Sequence, residues 1–147
     1  MPLADELHRR IFDFFAEHGF GDLRFGHQAV FIHIDDEGST LTELAARAKL
    51  SKQAMHELVN DLEALGYVER VPSSKDGRSK LIRTTDKGER SIEAAWEAIN
   101  RLEREWARRL EPGGMKALRS ALHKLNAQRP STTRSPEANA TQDDTLK

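Results

Sequence analysis

The sequence contains no cysteine among its 147 residues, which excludes disulfides, thiolate metal sites, cysteine nucleophiles and thiol-based redox sensing. Long apolar runs are also absent. The longest, residues 29–34, already contains His33, so we predict no transmembrane segment. The N-terminus, MPLADELHRR, has no basic start followed by an apolar block and predicts no signal peptide. We therefore expect a cytoplasmic protein without a membrane partner.

An excess of charge of one sign is lacking as well, since the net charge is only −1. The charge is nevertheless unevenly distributed: residues 1–40 hold 3 Lys/Arg against 8 Asp/Glu, whereas residues 70–83 hold five basic residues against Asp76 alone. Because charges are screened beyond about 10 Å, a local basic strip governs phosphate contact more than the total does. The strip favours a nucleic-acid surface and a merely solvated hairpin about equally.

The apolar spacing predicts one mainly α-helical domain over residues 1–129, followed by a tail at 130–147 that we expect to be disordered because it has no aromatic residue and no periodicity. The hydrophobic content of 37% is enough for a core. Six helices are predicted, at 3–18, 26–36, 43–48 with Thr42 as the cap, 52–65 with Ser51 as the cap, from Thr85 or Asp86 to just before Pro112, and 115–127.

The third and fourth predicted helices are separated only by Lys49, Leu50 and the cap Ser51, which is typical of a helix-turn-helix. The next apolar residues, at 67–71 and 81–82, flank a polar tip and predict a two-stranded hairpin with a long basic loop. A helix-turn-helix followed directly by a basic hairpin is the order of a winged helix.

Two helical faces are candidates for contacts between helices. Ile92, Ile99 and Trp106 are seven residues apart and predict a coiled-coil-like seam on the long helix. The last helix repeats apolar residues on one side, at Met115, Leu118, Leu122 and Leu125.

Residues 41–88 contain, in order, an LTELA start, an SKQA helix opening, the run LVNDLEALGYVER, a D-x-R wing and a TDKG segment. This ordered set resembles the DNA-binding core of the MarR (multiple antibiotic resistance) family of regulators, and the preceding GHQAVFIHI resembles the helix before that core. The resemblance covers about residues 26–90. It implies a winged helix-turn-helix core at 26–88, flanked by N- and C-terminal dimerisation helices at 1–20 and 90–129.

The resemblance also implies which residues contact DNA. The fourth helix would lie in the major groove and the wing in the minor groove, where Arg78 would insert and Asp76 would orient it. Alternatively, Asp76 only supports a turn before Gly77. The predicted DNA-binding residues are Ser51, Lys52, Gln53, His56, Asn60, Lys75, Asp76, Arg78 and Lys80.

Two further expectations follow from the resemblance. The terminal helices would pair two chains into a homodimer, and a small-molecule effector would bind between those helices and the winged-helix lobe. By position, Phe12, Phe15, Phe31 and His33 are the candidate effector-binding residues, although a place in the core is the preferred explanation for each.

The sequence departs from the family pattern at two positions. Lys49 stands where helix-turn-helix units often place glycine, and a lysine adopts a left-handed conformation only at some cost. Thr84 replaces the leucine usual before Thr85, which affects one core contact beneath the wing.

We therefore expect a sequence-specific DNA-binding transcription regulator, a ligand-relieved repressor that binds a pseudo-palindromic operator as a homodimer. The alternative is a winged-helix module that binds protein without specific DNA binding. No nucleophile elbow, phosphate-binding loop or HExxH pair is present, so we predict neither an enzyme nor a cofactor. Six histidines are scattered singly, and we predict no metal site.

Overall fold

The structure is a computed structural model that describes residues 2–75 and 77–127. Asp76 and the predicted tail at 130–147 lie outside the described residues. The fold class predicted from the sequence is confirmed: helices surround one two-stranded antiparallel sheet. The elements in chain order are α1 (Pro2–Glu17), a 3-10 turn (Phe25–His27), α2 (Gln28–His33), α3 (Leu41–Ala48), α4 (Lys52–Ala64), β1 (Val68–Pro72), β2 (Lys80–Thr84), α5 (Asp86–Arg109) and α6 (Gly114–Asn126).

The helix-turn-helix is formed by α3, a tight turn and α4. The α3 cap is Thr40 and not Thr42 as predicted, because Thr40 and Glu43 form a reciprocal capping box. Lys49 adopts the left-handed conformation, with φ 56° and ψ 38°, so the lysine does occupy the strained turn position. Ser51 caps α4 as predicted, its side chain accepting a hydrogen bond from the backbone N–H of Ala54 at 3.0 Å.

The second helix is shorter than predicted: α2 ends at His33 instead of residue 36. Hydrogen bonds from side chains compete with the helix there, because the Ser39 hydroxyl accepts from the backbone N–H of Asp35 at 3.0 Å. Arg47 of α3 then donates to the carbonyl of His33 at 2.8 Å and to the Asp35 carboxylate at 2.9 Å. This turn fixes α2 against α3.

The hairpin of β1 and β2 is anchored to the helical core at its base. Ser39 bridges to Ile82 of β2 through two backbone hydrogen bonds. Tyr67 and Val68 are buried in the same cluster as Leu44, Val59 and Leu62. The wing therefore extends from a packed base.

The long helix α5 packs along α1 and is capped by Thr85, whose side chain accepts a hydrogen bond from the backbone N–H of Gly88 at 3.1 Å. The predicted seam at Ile92, Ile99 and Trp106 is only half-buried. The buried face is a neighbouring one, formed by Gly88, Ser91, Ala94, Ala98 and Leu102. Small residues on this face allow the close approach of α1 and the wing, which apolar periodicity alone does not reveal.

Thr84 is buried beneath the wing, and its hydroxyl donates to the Glu89 carboxylate. The substitution for leucine is therefore accommodated by a hydrogen bond, as expected for a buried polar group.

Gly88 shows why the TDKG segment ends in glycine. A Cβ at this position would lie 2.2 Å from the backbone oxygen of Tyr67. We expect Gly88→Ala to lower the free energy of unfolding by about 3 kcal/mol, since neither backbone can give way easily. The matched control is Gly77→Ala, where a Cβ meets nothing within 4 Å. Urea denaturation of both variants checks this, and equal stabilities would contradict the packing described here.

The last helix, α6, leaves its apolar side uncovered. No residue of α6 is buried within the described part of the chain, and Leu118, Leu122 and Leu125 are 39%, 50% and 73% exposed. None of the helices that the structure describes is long and apolar enough to cross a membrane.

Candidate nucleic-acid interface and effector cavity

The N-terminal turn of α4 presents a polar surface. Its apolar positions Met55, Val59 and Leu62 are buried in the core, which turns the remaining face outward. Four of the predicted DNA-binding residues lie exposed on that face or at its cap: Ser51, Lys52, Gln53 and His56. The backbone amides of this first turn also point outward along the helix axis, an arrangement that suits a phosphate group.

Further along the helix, Asn60 is exposed but already engaged. Its side-chain oxygen accepts from Arg70 of β1 at 2.8 Å, and its amide nitrogen lies 3.2 Å from Nδ1 of His56. Arg70 also pairs with Glu63. The predicted residue Asn60 therefore joins α4 to the base of the wing, and a base contact would require its release from Arg70.

The wing carries basic side chains both at its base and at its tip. Of the five basic residues at 70–83, two are neutralised within the protein, because Arg70 pairs with Glu63 and Arg83 pairs with Glu69. Lys75, Arg78 and Lys80 are exposed at or beside the tip. Lys75 and Lys80 form no ion pair with any other described residue. Lys75 and Lys80 thus supply positive charge at and beside the tip.

An apolar cavity of about 310 Å³ lies between α1, the segment 24–32 and α5. This size is at the small end of the range for organic ligands. Phe12, Phe15 and Phe31, three of the four predicted effector-binding residues, line it. The other lining residues were not predicted: His8, Ile11, Leu23, Arg24, His27, Gln28, Ile32, Ser91, Ile92, Ala95, Trp96 and Ile99.

His33, the fourth predicted effector-binding residue, does not line this cavity. It ends α2 beside Arg47, which donates to its carbonyl. Burial lowers the pKa of His33, and the charge of Arg47 lowers it further. The ring is therefore neutral at pH 7 and belongs to the contact between α2 and α3.

The segment before the cavity wall is fixed to the wing base by a polar cluster. The Tyr67 hydroxyl donates to Asp22, and Nζ of Lys87 lies 3.5 Å from the same carboxylate. Burial raises the pKa of Tyr67, and its bond to Asp22 adds to this. Burial acts to raise the pKa of Asp22, but the hydrogen bond from Tyr67 and the charge of Lys87 lower it overall.

Sequence spacing did not reveal a second polar cluster, between the cavity wall and α4. Arg24 pairs with Asp61, and Nε2 of His27 lies 3.7 Å from Oδ2 of the same aspartate. The residues are more than thirty positions apart along the chain, so no periodic pattern predicts their contact. No group of three or more potential metal-ligating His, Cys, Asp or Glu side chains occurs among residues 2–75 and 77–127.

Comparison with known proteins bears on this geometry. The MarR family model matches residues 27–79, which include α2, α3, α4 and β1 and extend to the residue before β2. The winged-helix segment of this chain is therefore similar to the MarR family. MarR-family proteins are DNA-binding transcription regulators and not enzymes, which agrees with the prediction from the sequence. No curated protein matches the chain.

Solved MarR-type structures share the fold over most of the chain. The Staphylococcus aureus MepR–DNA complex is 17% identical, with a TM-score of 0.65 over 85% of this chain and 93% of MepR. YusO from Bacillus subtilis is 16% identical, with a TM-score of 0.66 over 86% and 89% of the two chains. CouR from Rhodococcus jostii RHA1, bound to p-coumaroyl-CoA, is 21% identical, with a TM-score of 0.62 over 90% and 91%. At such identities the likeness establishes the fold.

Proposed function

We propose that this chain is a sequence-specific transcription regulator that binds a pseudo-palindromic operator as a homodimer and represses until a small molecule relieves it. The observation that carries the proposal is the exposed polar turn of α4, followed in the chain by a wing whose exposed Lys75 and Lys80 form no ion pair with any other described residue. An acidic protein partner would not need an exposed helix face of hydrogen-bonding side chains at this position. The role places the protein in the cytoplasm, with access to the chromosome.

In the major groove, Gln53 reads bases and the helix end holds the backbone. In the free protein Gln53 donates to Glu57 at 3.2 Å on the exposed surface. Replacing this exposed hydrogen bond with bonds to the edge of an adenine costs little free energy. Lys52 and the Ser51 hydroxyl reach a phosphate together with the first-turn amides. His56 contacts the groove wall. Asn60, one turn further along α4 and bonded to Arg70 at the wing base, holds the His56 ring in place.

In the minor groove, Arg78 is the inserted side chain, since a guanidinium is favoured by the negative potential of a narrow A/T-rich groove. Asp76 orients it in this proposal and lies outside the described residues. Lys75 and Lys80, exposed on either side of the tip, contact phosphates.

Two copies of the chain are joined through their terminal helices in this proposal. The supporting observation is the uncovered side of α6, with Leu118, Leu122 and Leu125 exposed. Residues 1–129 form one domain, in which the core at 26–88 binds DNA and the helices at 1–20 and 90–129 pair the chains. A two-fold axis then presents two α4 helices to successive turns of the major groove.

The effector occupies the cavity between α1 and α5. Its walls are mainly apolar and aromatic, so the ligand is largely apolar. CouR is a neighbour whose structure contains p-coumaroyl-CoA, and MepR has been solved with ethidium bromide. Within the described residues no Asp or Glu lines the cavity of this chain, which disfavours a cation such as ethidium here.

Binding to random-sequence duplex DNA separates this function from a protein-binding module. We expect measurable binding at about 50 mM salt and a loss of at least about tenfold by about 200 mM, because each phosphate contact releases a counterion. Fluorescence anisotropy with a labelled duplex measures both. Absence of binding at low salt would favour the module that binds protein without specific DNA binding.

A further inference from the structure

One short segment belongs both to the cavity wall and to the surroundings of α4. Arg24, His27 and Gln28 line the cavity. Gly26, between them, lies so close to α4 that a Cβ there would be 3.4 Å from Cδ2 of Leu58. The segment 24–28 is thus the direct physical path from the cavity to the helix proposed to read DNA.

His27 holds a buried donor that lacks a partner. The side chain is 1% exposed, and its Nδ1 accepts the backbone N–H of Arg24 at 3.0 Å, so the ring hydrogen is on Nε2. Nε2 has no hydrogen bond and lies 3.7 Å from Oδ2 of Asp61, beyond hydrogen-bond reach. Burial lowers the pKa of His27, and the charge of Arg24 lowers it further; the nearby carboxylates of Asp61 and Asp22 oppose this without reversing it, so the ring is neutral at pH 7. Because an unpaired buried donor is costly, an acceptor group beside it would be stabilising.

Arg24 supplies a second donor, and its existing ion pair with Asp61 is exposed to solvent. Its guanidinium pairs with Asp61, but the side chains of the two residues are 69% and 46% exposed. Ion pairs at such exposure contribute little to stability. The guanidinium can therefore be transferred to a competing acceptor in the cavity.

We propose that Arg24 and His27 link the cavity to α4: an acceptor group on the bound ligand takes the Arg24 guanidinium, and Asp61 of α4 loses that partner, which leaves the buried Nε2–H of His27, 3.7 Å away, as the neighbouring donor. The link rests on the proposed function, in which the cavity holds the effector and α4 reads DNA. Asp61 and the ligand then compete for the same guanidinium. Ligand binding therefore removes a restraint on α4. A ligand can shift a conformational equilibrium only if it makes different contacts in the two states, and the Arg24 contact would be such a difference.

If Asp61 and the ligand compete for Arg24, removing Asp61 and removing Arg24 should change the affinity for a ligand in opposite directions. The probe is 2-naphthoate, an apolar bicyclic carboxylate, and its affinity is measured by isothermal titration calorimetry without DNA. Asp61→Asn frees Arg24 and is expected to tighten probe binding by about two- to fivefold, the range for an exposed ion pair. Arg24→Gln removes a donor and is expected to weaken it by about fivefold or more.

The matched control is Glu97→Gln, which breaks the exposed pair with Arg101 on α5, outside the cavity lining. We expect its probe affinity to equal that of the unaltered protein. A purely structural role of the Arg24–Asp61 pair would shift both variants in the same direction. A shift of both variants in the same direction would overturn the link. So would an Asp61→Asn affinity equal to that of Glu97→Gln, or the absence of probe binding by the unaltered protein.

Amide hydrogen exchange of residues 52–64 gives a second readout. We expect the probe to speed exchange in α4 of the unaltered protein by about two- to fivefold, the range for an exposed ion pair, and Asp61→Asn to show this faster exchange already without probe. Unchanged α4 exchange at saturating probe would overturn the link. Neither the calorimetry nor the hydrogen-exchange experiment contains DNA. Failure of the proposed link would therefore leave the low-salt DNA-binding result intact, and failure of DNA binding would leave the test of the link valid.

Discussion

Deletion of the chain after Leu110 is expected to convert a homodimer into a monomer at micromolar concentration. The deletion removes α6, whose leucines 118, 122 and 125 are exposed in the single chain. Burying a leucine side chain contributes about 1.5–3 kcal/mol, and a symmetric interface counts each one twice. A micromolar dissociation constant corresponds to about 8 kcal/mol, so losing these contacts is enough to abolish the dimer.

Point variants on α6 distinguish the loss of an interface from the loss of a helix. Leu122→Glu places a charge on the apolar stripe and is expected to dissociate the dimer, whereas Ser120→Glu adds the same charge to the exposed side away from the stripe. Sedimentation velocity of the two variants and of the shortened chain measures their mass. A shortened chain that remains a stable dimer at micromolar concentration would refute the role given to α6.

Substitutions in the two DNA-binding elements are expected to have different signatures. Gln53→Ala should change which bases are preferred in each half-site, at about 1–3 kcal/mol for a lost bidentate contact. Arg78→Ala should weaken binding most on sites with A/T-rich flanks, because a narrow minor groove strengthens the potential at the guanidinium. Lys75→Ala should lower affinity evenly across sequences and reduce the salt slope by about one unit per chain.

Titrating these variants against a randomised duplex library at two salt concentrations measures all three signatures. Lys116→Ala is the control for Lys75→Ala, since Lys116 is an exposed lysine on α6, away from the wing. If Gln53→Ala and Arg78→Ala gave the same sequence-independent loss as Lys75→Ala, the division of roles between α4 and the wing would be wrong. If none of the three altered DNA affinity, the protein-binding alternative would be preferred.

Local signals in the sequence were enough to predict the winged helix. Ser51 and Gly66 mark the ends of α4, and a change from helical to strand periodicity marks the wing, because these features depend on neighbouring residues. The errors occurred where side chains from distant segments decide the local structure. Hydrogen bonds among Asp35, Ser39 and Arg47 end α2 early, and Thr40 replaces Thr42 as the α3 cap because Glu43 completes its box.

The difference between local signals and contacts of distant segments also explains which residues of the candidate site could be predicted. The resemblance to the MarR family implied an effector crevice near Phe12, Phe15 and Phe31, and these three residues line the cavity. His33 was predicted with them, but α2 directs that end of the helix toward Arg47. The contact of Arg24 and His27 with Asp61 had no sequence signal, since it depends on how the segment after α1 folds across α4.

The arrangement of recovered operator sites tests the central claim most directly. Purified full-length protein is used to select from a library of randomised duplexes at near-physiological salt, and the bound sequences are read. The expected result is a pair of inverted half-sites whose centres are about 10 base pairs apart, or a multiple of that, because a two-fold dimer places both α4 helices on one side of the duplex. Recovery of unenriched sequence, or of a single half-site without an inverted partner, would contradict a homodimeric sequence-specific regulator.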